Sequence, residues 1–121
     1  NIISIVENEA FINLINLNLL DLSDNCIISI NAATFKGLNS LTQIFLAYNT
    51  ISQIDEFTFL NLTSLEILDL NLNYIFELKP NGLNKTSNIE KLNLNDNKME
   101  ELKYSYFENF VYLGTISINN N

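Results

Sequence analysis

Apolar residues return along this chain with a period of 24. Counted from Asn1, Asn25, Asn49, Asn73 and Asn97, seven columns repeat. Two residues on stand Ile3, Ile27, Ile51, Ile75 and Met99, and five on stand Val6, Ile30, Ile54, Leu78 and Leu102. Ten on come Phe11, Phe35, Phe59, Leu83 and Phe107, and thirteen on come Leu14, Leu38, Leu62, Thr86 and Phe110. The last three columns are Leu17/Leu41/Leu65/Ile89/Leu113, Leu20/Ile44/Leu68/Leu92/Ile116 and Leu22/Leu46/Leu70/Leu94/Ile118. Of these 35 positions 34 are apolar, where a 47% apolar chain would place about 16 by chance. A fixed period of this length marks a stack of like units, each unable to bury its own apolar face.

Each interval ends in L-x-x-L-x-L-x-x-N, as in Leu65, Leu68, Leu70 and Asn73. The alternation around L-x-L is that of a strand. Five strands centred near 20–22, 44–46, 68–70, 92–94 and 116–118 therefore predict one parallel sheet. The other columns lie on the path that carries the chain back to the next strand, with the phenylalanines stacked as a spine. The asparagines have a different task. Where the chain leaves the strand, its backbone groups lose their ladder partners, and an inward amide can both donate and accept. A structural ladder of Asn25, Asn49, Asn73 and Asn97 is predicted, each side chain pointing inward. The chain has 22 asparagines, but bias alone would not phase six of them, from Asn1 to Asn121, with seven apolar columns.

This pattern resembles the leucine-rich repeat family over the whole chain. The 24-residue unit with phenylalanine at plus ten, clean in Asn25-Cys26-Ile27-Ile28-Ser29-Ile30 through Phe35, Leu38 and Leu41, resembles its typical extracellular class. Toll-like receptors, small leucine-rich proteoglycans and Slit-like proteins share that unit. The resemblance implies an arc with a parallel sheet on the concave side and irregular or 3-10 return segments on the convex side. It also implies a recognition module of a receptor or adhesion protein, in settings such as innate immunity. The expected organisation is one solenoid over 1–121, with repeats 1–24, 25–48, 49–72, 73–96 and 97–120. Extracellular members commonly carry cysteine-rich caps, and Cys26 is the one cysteine here. A piece of a longer ectodomain is the expectation, and its uncapped ends could self-associate. Repeat four departs from the pattern: Leu83 replaces the spine phenylalanine, Thr86 an apolar residue, and Pro80 and Gly82 signal a turn.

Formal net charge is −8, which disfavours nucleic-acid phosphates and anionic lipid as partners. With no histidine, triads and histidine-held metals are excluded. No catalytic constellation and no cofactor motif is visible, so an enzyme is not expected. Asp21, Asp24, Asp69 and Asp96 do not spell a calcium loop, so no metal is expected. Two glycosylation triplets, at Asn61 and Asn84, fall on the return path; a chain this rich in asparagine, serine and threonine produces such triplets by chance. They agree with a secreted glycoprotein.

Residues between the inward leucines face the concave side. There Phe45 is expected between Asp21 and Asp69, Tyr48 between Asp24 and Leu72, and Ile67 between Gln43 and Lys91. Six carboxylates against Lys91 give this face a formal −5. Exposed apolar clusters with a polar rim are candidate contact sites. The candidate ligand-binding residues are therefore Phe45, Tyr48, Ile67 and Leu72, rimmed by Asp21, Asp24 and Asp69, for a protein ligand of basic character. A scaffolding solenoid and an intracellular adaptor remain open as alternatives.

Overall fold

The computed structural model describes residues 1–79, 82–83 and 88–121. Five short strands, β1 (Leu19–Asp21), β2 (Gln43–Phe45), β4 (Ile67–Asp69), β6 (Lys91–Asn93) and β7 (Thr115–Ser117), form one parallel sheet in that order. Their register is in phase with the period: Leu20 faces Ile44, Ile44 faces Leu68, Leu68 faces Leu92 and Leu92 faces Ile116. The ladder continues past the strand ends, where Leu22, Leu46, Leu70 and Leu94 donate their N–H groups to Phe45, Asp69, Asn93 and Ser117 of the next turn.

The return path is irregular, as the resemblance implies. Among the described residues it contains turns and no 3-10 segment. It also carries a second, two-stranded parallel sheet, β3 (Gln53–Ile54) on β5 (Glu77–Leu78), and a one-turn helix α1 (Tyr104–Phe107). Ile54 and Leu78 pair in register and turn their side chains into the core. The turn expected at Pro80 and the positions of Asn84, Lys85 and Thr86 lie outside the described residues, but Gly82 and Leu83 beside them are buried.

The core is continuous from turn to turn. Ile27, Leu38, Leu41, Ile44, Leu46, Ile51, Ile54, Leu65, Leu68, Leu70, Ile75, Ile89 and Leu94 are wholly enclosed. Removal of apolar area from water at about 25 cal/mol per Å² is what holds such a stack together. Burial fades at the outer turns, where Ile3, Leu14, Leu102 and Ile116 of the same columns are exposed. The aromatic spine is shorter than expected. Phe35 stacks on Phe59 with ring centroids 5.6 Å apart and planes at 18°. Phe11 is only partly buried, and in the last repeat Tyr106 is buried while Phe107 beside it is half-exposed.

The ladder asparagines Asn49, Asn73 and Asn97 are buried polar residues. Asn49 Nδ2 donates to the carbonyls of Leu46 and Ala47 in its own turn and of Leu22 in the preceding one, at 3.0–3.3 Å, while its Oδ1 accepts the Ile27 N–H. Asn73 and Asn97 repeat all four contacts one and two turns later. Asn25 keeps three of them. Each amide thus ties a turn to itself and to its neighbour.

The residue before each ladder asparagine is left-handed: Asp24, Tyr48, Leu72, Asp96 and Asn120 have φ of 51–56°. The chain turns there, beyond the end of each strand, just before the inward amide. Left-handed backbone costs an L-residue about 1–2 kcal/mol, least for Asp and Asn. Asp24, Asp96 and Asn120 suit it; Tyr48 and Leu72 do not.

Candidate functional site

The strands place their middle residue inward and the two flanking ones outward. Two outward rows result. One runs Asp21, Phe45, Asp69, Asn93, Ser117 and the other Leu19, Gln43, Ile67, Lys91, Thr115. Phe45 lies between Asp21 and Asp69, and Ile67 between Gln43 and Lys91, as the spacing predicts. Phe45, Ile67 and Asp69 meet Lys91, Thr115 and Ser117 around a shallow depression of about 220 Å³.

Tyr48 and Leu72 do not join that depression. Their left-handed backbone turns them over the ends of the strands into a separate rim groove of about 470 Å³. There they meet Thr50, Tyr74, Asp96 and Lys98. Tyr48 is 55% and Tyr74 56% exposed. The seven candidate residues are thus divided, with Phe45, Ile67 and Asp69 in the concave depression and Tyr48 and Leu72 in the rim groove. Asp21 and Asp24 are exposed and line neither. Tyr74 and Lys98 belong with Tyr48 but escape a reading of the strand segment alone, because they follow the ladder asparagine. Leu19, 48% exposed at the head of β1, extends the apolar surface of the outward rows.

The concave aspartates have a local task as well. Asp21 Oδ1 accepts the Ser23 N–H at 2.9 Å, and Asp69 Oδ1 accepts the Asn71 N–H at 2.9 Å. Asn93 uses its amide oxygen in the same way on Asn95, at 3.1 Å. A short acceptor at the strand end thus caps the turn that follows. The Ser23 backbone N–H, aided by its hydroxyl, holds the Asp21 carboxyl below its usual range against a small opposing effect of desolvation. Asp69 remains half-exposed beside Phe45. Lys91 has no ion-pair partner among the described residues. On the return path Lys79 hydrogen-bonds Glu77 and lowers that carboxyl.

Asn61 is exposed on the return path, away from both depressions, as is Thr63 two residues on. Asn84, the other triplet, lies outside the described residues. Cys26 is exposed, with its Sγ 3.8 Å from the Asn1 carbonyl oxygen. Among the described residues no three acidic, cysteine or histidine side chains gather in a group that could hold a metal ion. No helix among them is long and apolar enough to cross a membrane.

Comparison with known proteins agrees with this geometry. No curated protein matches the chain in sequence. A solved chain from the crystal structure of a TLR13–ssRNA13 complex is similar to it at 29% identity and a TM-score of 0.87, over 95% of this chain. This chain spans only 17% of the length of that one. The family model for the leucine rich repeat matches residues 1–51 and 41–99. With the repeated strands, the inward asparagines and the stacked core, these matches show that the chain belongs to the leucine-rich repeat family.

Proposed function

We propose that this chain is a non-enzymatic recognition module, a single solenoid of five repeats within a larger extracellular or cell-surface protein, that binds a basic protein ligand through its concave sheet. The observation that carries the reading is the join of Phe45 and Ile67 on one ordered sheet face, with the Asp21 and Asp69 carboxylates flanking Phe45. Strand-borne side chains form a rigid display, and a few part-buried apolar anchors supply most interface energy. Asp21, Asp24, Glu66, Asp69, Glu90 and Asp96 against Lys91 set the sign of the field that the ligand meets. A receptor or adhesion role fits such a surface, and a glycan on Asn61 would leave it clear.

The similar TLR13 structure is a complex with single-stranded RNA. A phosphate backbone gains affinity from lysine and arginine, and this face offers the reverse charge, so we favour a protein. The test measures binding of the protein that contains this chain to its ligand, with Phe45→Ala, Asp69→Lys and the return-path control Lys36→Ala. Loss with the first two and not the third supports the concave face. Loss with Lys36→Ala alone moves the contact to the return path. Full binding by all three removes the recognition role from this segment and favours a scaffold.

A further inference from the structure

Tyr48 and Leu72 occupy a backbone conformation that suits neither. In the flanking turns the same position is held by Asp24, Asp96 and Asn120, types whose short polar side chains tolerate a left-handed backbone. At the two central turns the chain instead places an aromatic and an aliphatic side chain there, and Tyr48 is mostly exposed. Folding gains little from an exposed ring on strained backbone. A strained residue of this kind points to a use outside the fold.

The groove these residues open is electrically unlike the concave face. Tyr48, Leu72 and Tyr74 form its apolar part, and its charged members are one carboxylate, Asp96, and one ammonium, Lys98. Asp96 Oδ1 accepts a hydrogen bond from Asn120 Nδ2 at 3.0 Å. Lys98 is exposed and has no ion-pair partner among the described residues. A chain of formal charge −8 repels its own copy over most of its surface. The concave face, where Asp21, Glu66, Asp69 and Glu90 stand against Lys91 alone, is a poor place for two copies to meet. The rim groove is lined by one charge of each sign beside Tyr48, Leu72 and Tyr74, so that repulsion is locally cancelled there.

We propose that the rim groove is a homotypic contact: two copies of this chain pack Tyr48, Leu72 and Tyr74 against one another about a two-fold axis, with Lys98 of each copy opposite Asp96 of the other. A two-fold contact is self-complementary, so one patch with one charge of each sign suffices. The contact is independent of the concave site, which stays open in the pair.

The test is the association state of the full chain by sedimentation over a concentration series, read beside its melting temperature. The expected result for the unaltered chain is a reversible dimer. Tyr48→Asn and Leu72→Asn place a tolerant residue on the left-handed backbone, so both variants should melt a few degrees higher. Both should also weaken the dimer by at least about tenfold, as loss of an interface anchor does. A merely structural role for Tyr48 would give lower melting and no change in association. Lys98→Glu should abolish the dimer by setting two carboxylates together, and the double exchange Asp96→Lys with Lys98→Glu should restore it. The proposal is overturned if the chain is monomeric up to its solubility limit. It is equally overturned if the Asn variants dimerise as the unaltered chain does, or if only the concave change Asp69→Lys alters association.

Discussion

Asn49 Oδ1 accepts the N–H of Ile27 at 2.9 Å, a bond that reaches back across 22 residues into the preceding turn. The same amide donates to three carbonyls, and the residue is 4% exposed. One side chain thus serves four backbone groups that the core has removed from water.

Leu22, Leu46 and Ala47 keep second donors in Asn25, Asn73 and Asp24, so Asn49→Ala leaves the Ile27 N–H unpaired and should destabilise the solenoid by about 1–3 kcal/mol. Asn71→Ala is the informative comparison. Asn71 is half-buried rather than exposed as strand alternation suggests, and its Oδ1 is enclosed without a hydrogen-bond partner. Removing that oxygen relieves a desolvated acceptor, so Asn71→Ala should be near neutral or slightly stabilising. Chemical denaturation of both variants checks this, and equal losses would contradict the ladder.

Gly37 sets a second test, because it has φ of +92° and an added Cβ would lie 2.4 Å from the Ile12 carbonyl oxygen. The obstruction is backbone, so no side chain can swing away. Gly37→Ala should cost about 2–4 kcal/mol, from left-handed strain and overpacking together. Gly114, whose nearest obstacle is 3.7 Å away, should accept alanine with little change. Parallel thermal melts of the two variants make the comparison.

The parts of the fold legible in the sequence are those with one chemical type per column. Ile44, Leu68 and Leu92 share a type and a spacing, so strand register follows from counting; Asn49, Asn73 and Asn97 likewise. The buried column of Thr34, Thr58, Gly82 and Tyr106 has no common type and passes unseen, although all four are enclosed. The β3–β5 pair is hidden because two residues are too few to show alternation. The candidate site was legible where it depends on register, as with Phe45 between Asp21 and Asp69. It was not legible where it depends on φ: Tyr48 and Leu72, on left-handed backbone, line a groove separate from that of Phe45 and Ile67.

Asp21 makes a pH prediction. Its carboxyl is lowered from the ordinary 3.8 by the Ser23 N–H, which prefers the ionised form. A depressed carboxyl contributes stability above its unfolded value, and that contribution disappears as pH falls through the lower, folded value. Asp21 is exposed, so solvent screening limits the effect to roughly a few tenths of a kcal/mol. Asp21→Asn keeps an acceptor for Ser23, as Asn93 keeps one for Asn95, and removes the titration. Melting temperatures between about pH 2 and 5 should fall slightly less steeply for Asp21→Asn than for the unaltered chain.

The concave face separates two classes of partner by the sign of one substitution. Asp69 stands in register beside Phe45, half-exposed on the acidic face. For a basic protein ligand, Asp69→Lys removes an attracting charge and adds a repelling one, so the association rate should fall. The fall should shrink as salt rises, because a Debye length of about 8 Å near physiological salt screens exposed charges. For single-stranded RNA the same change adds a phosphate-binding cation, so affinity should rise, most at low salt. Phe45→Ala acts differently. It leaves the long-range field unchanged and removes an anchor, so it should raise the dissociation rate by roughly 30-fold, the equivalent of about 2 kcal/mol, with little effect on encounter. Surface plasmon resonance of both variants at two salt concentrations, against the protein ligand and against a single-stranded RNA, resolves the rates. A slower, salt-sensitive association of Asp69→Lys with the protein supports the proposed reading. Stronger binding of that variant to RNA, with no change toward protein, would replace it.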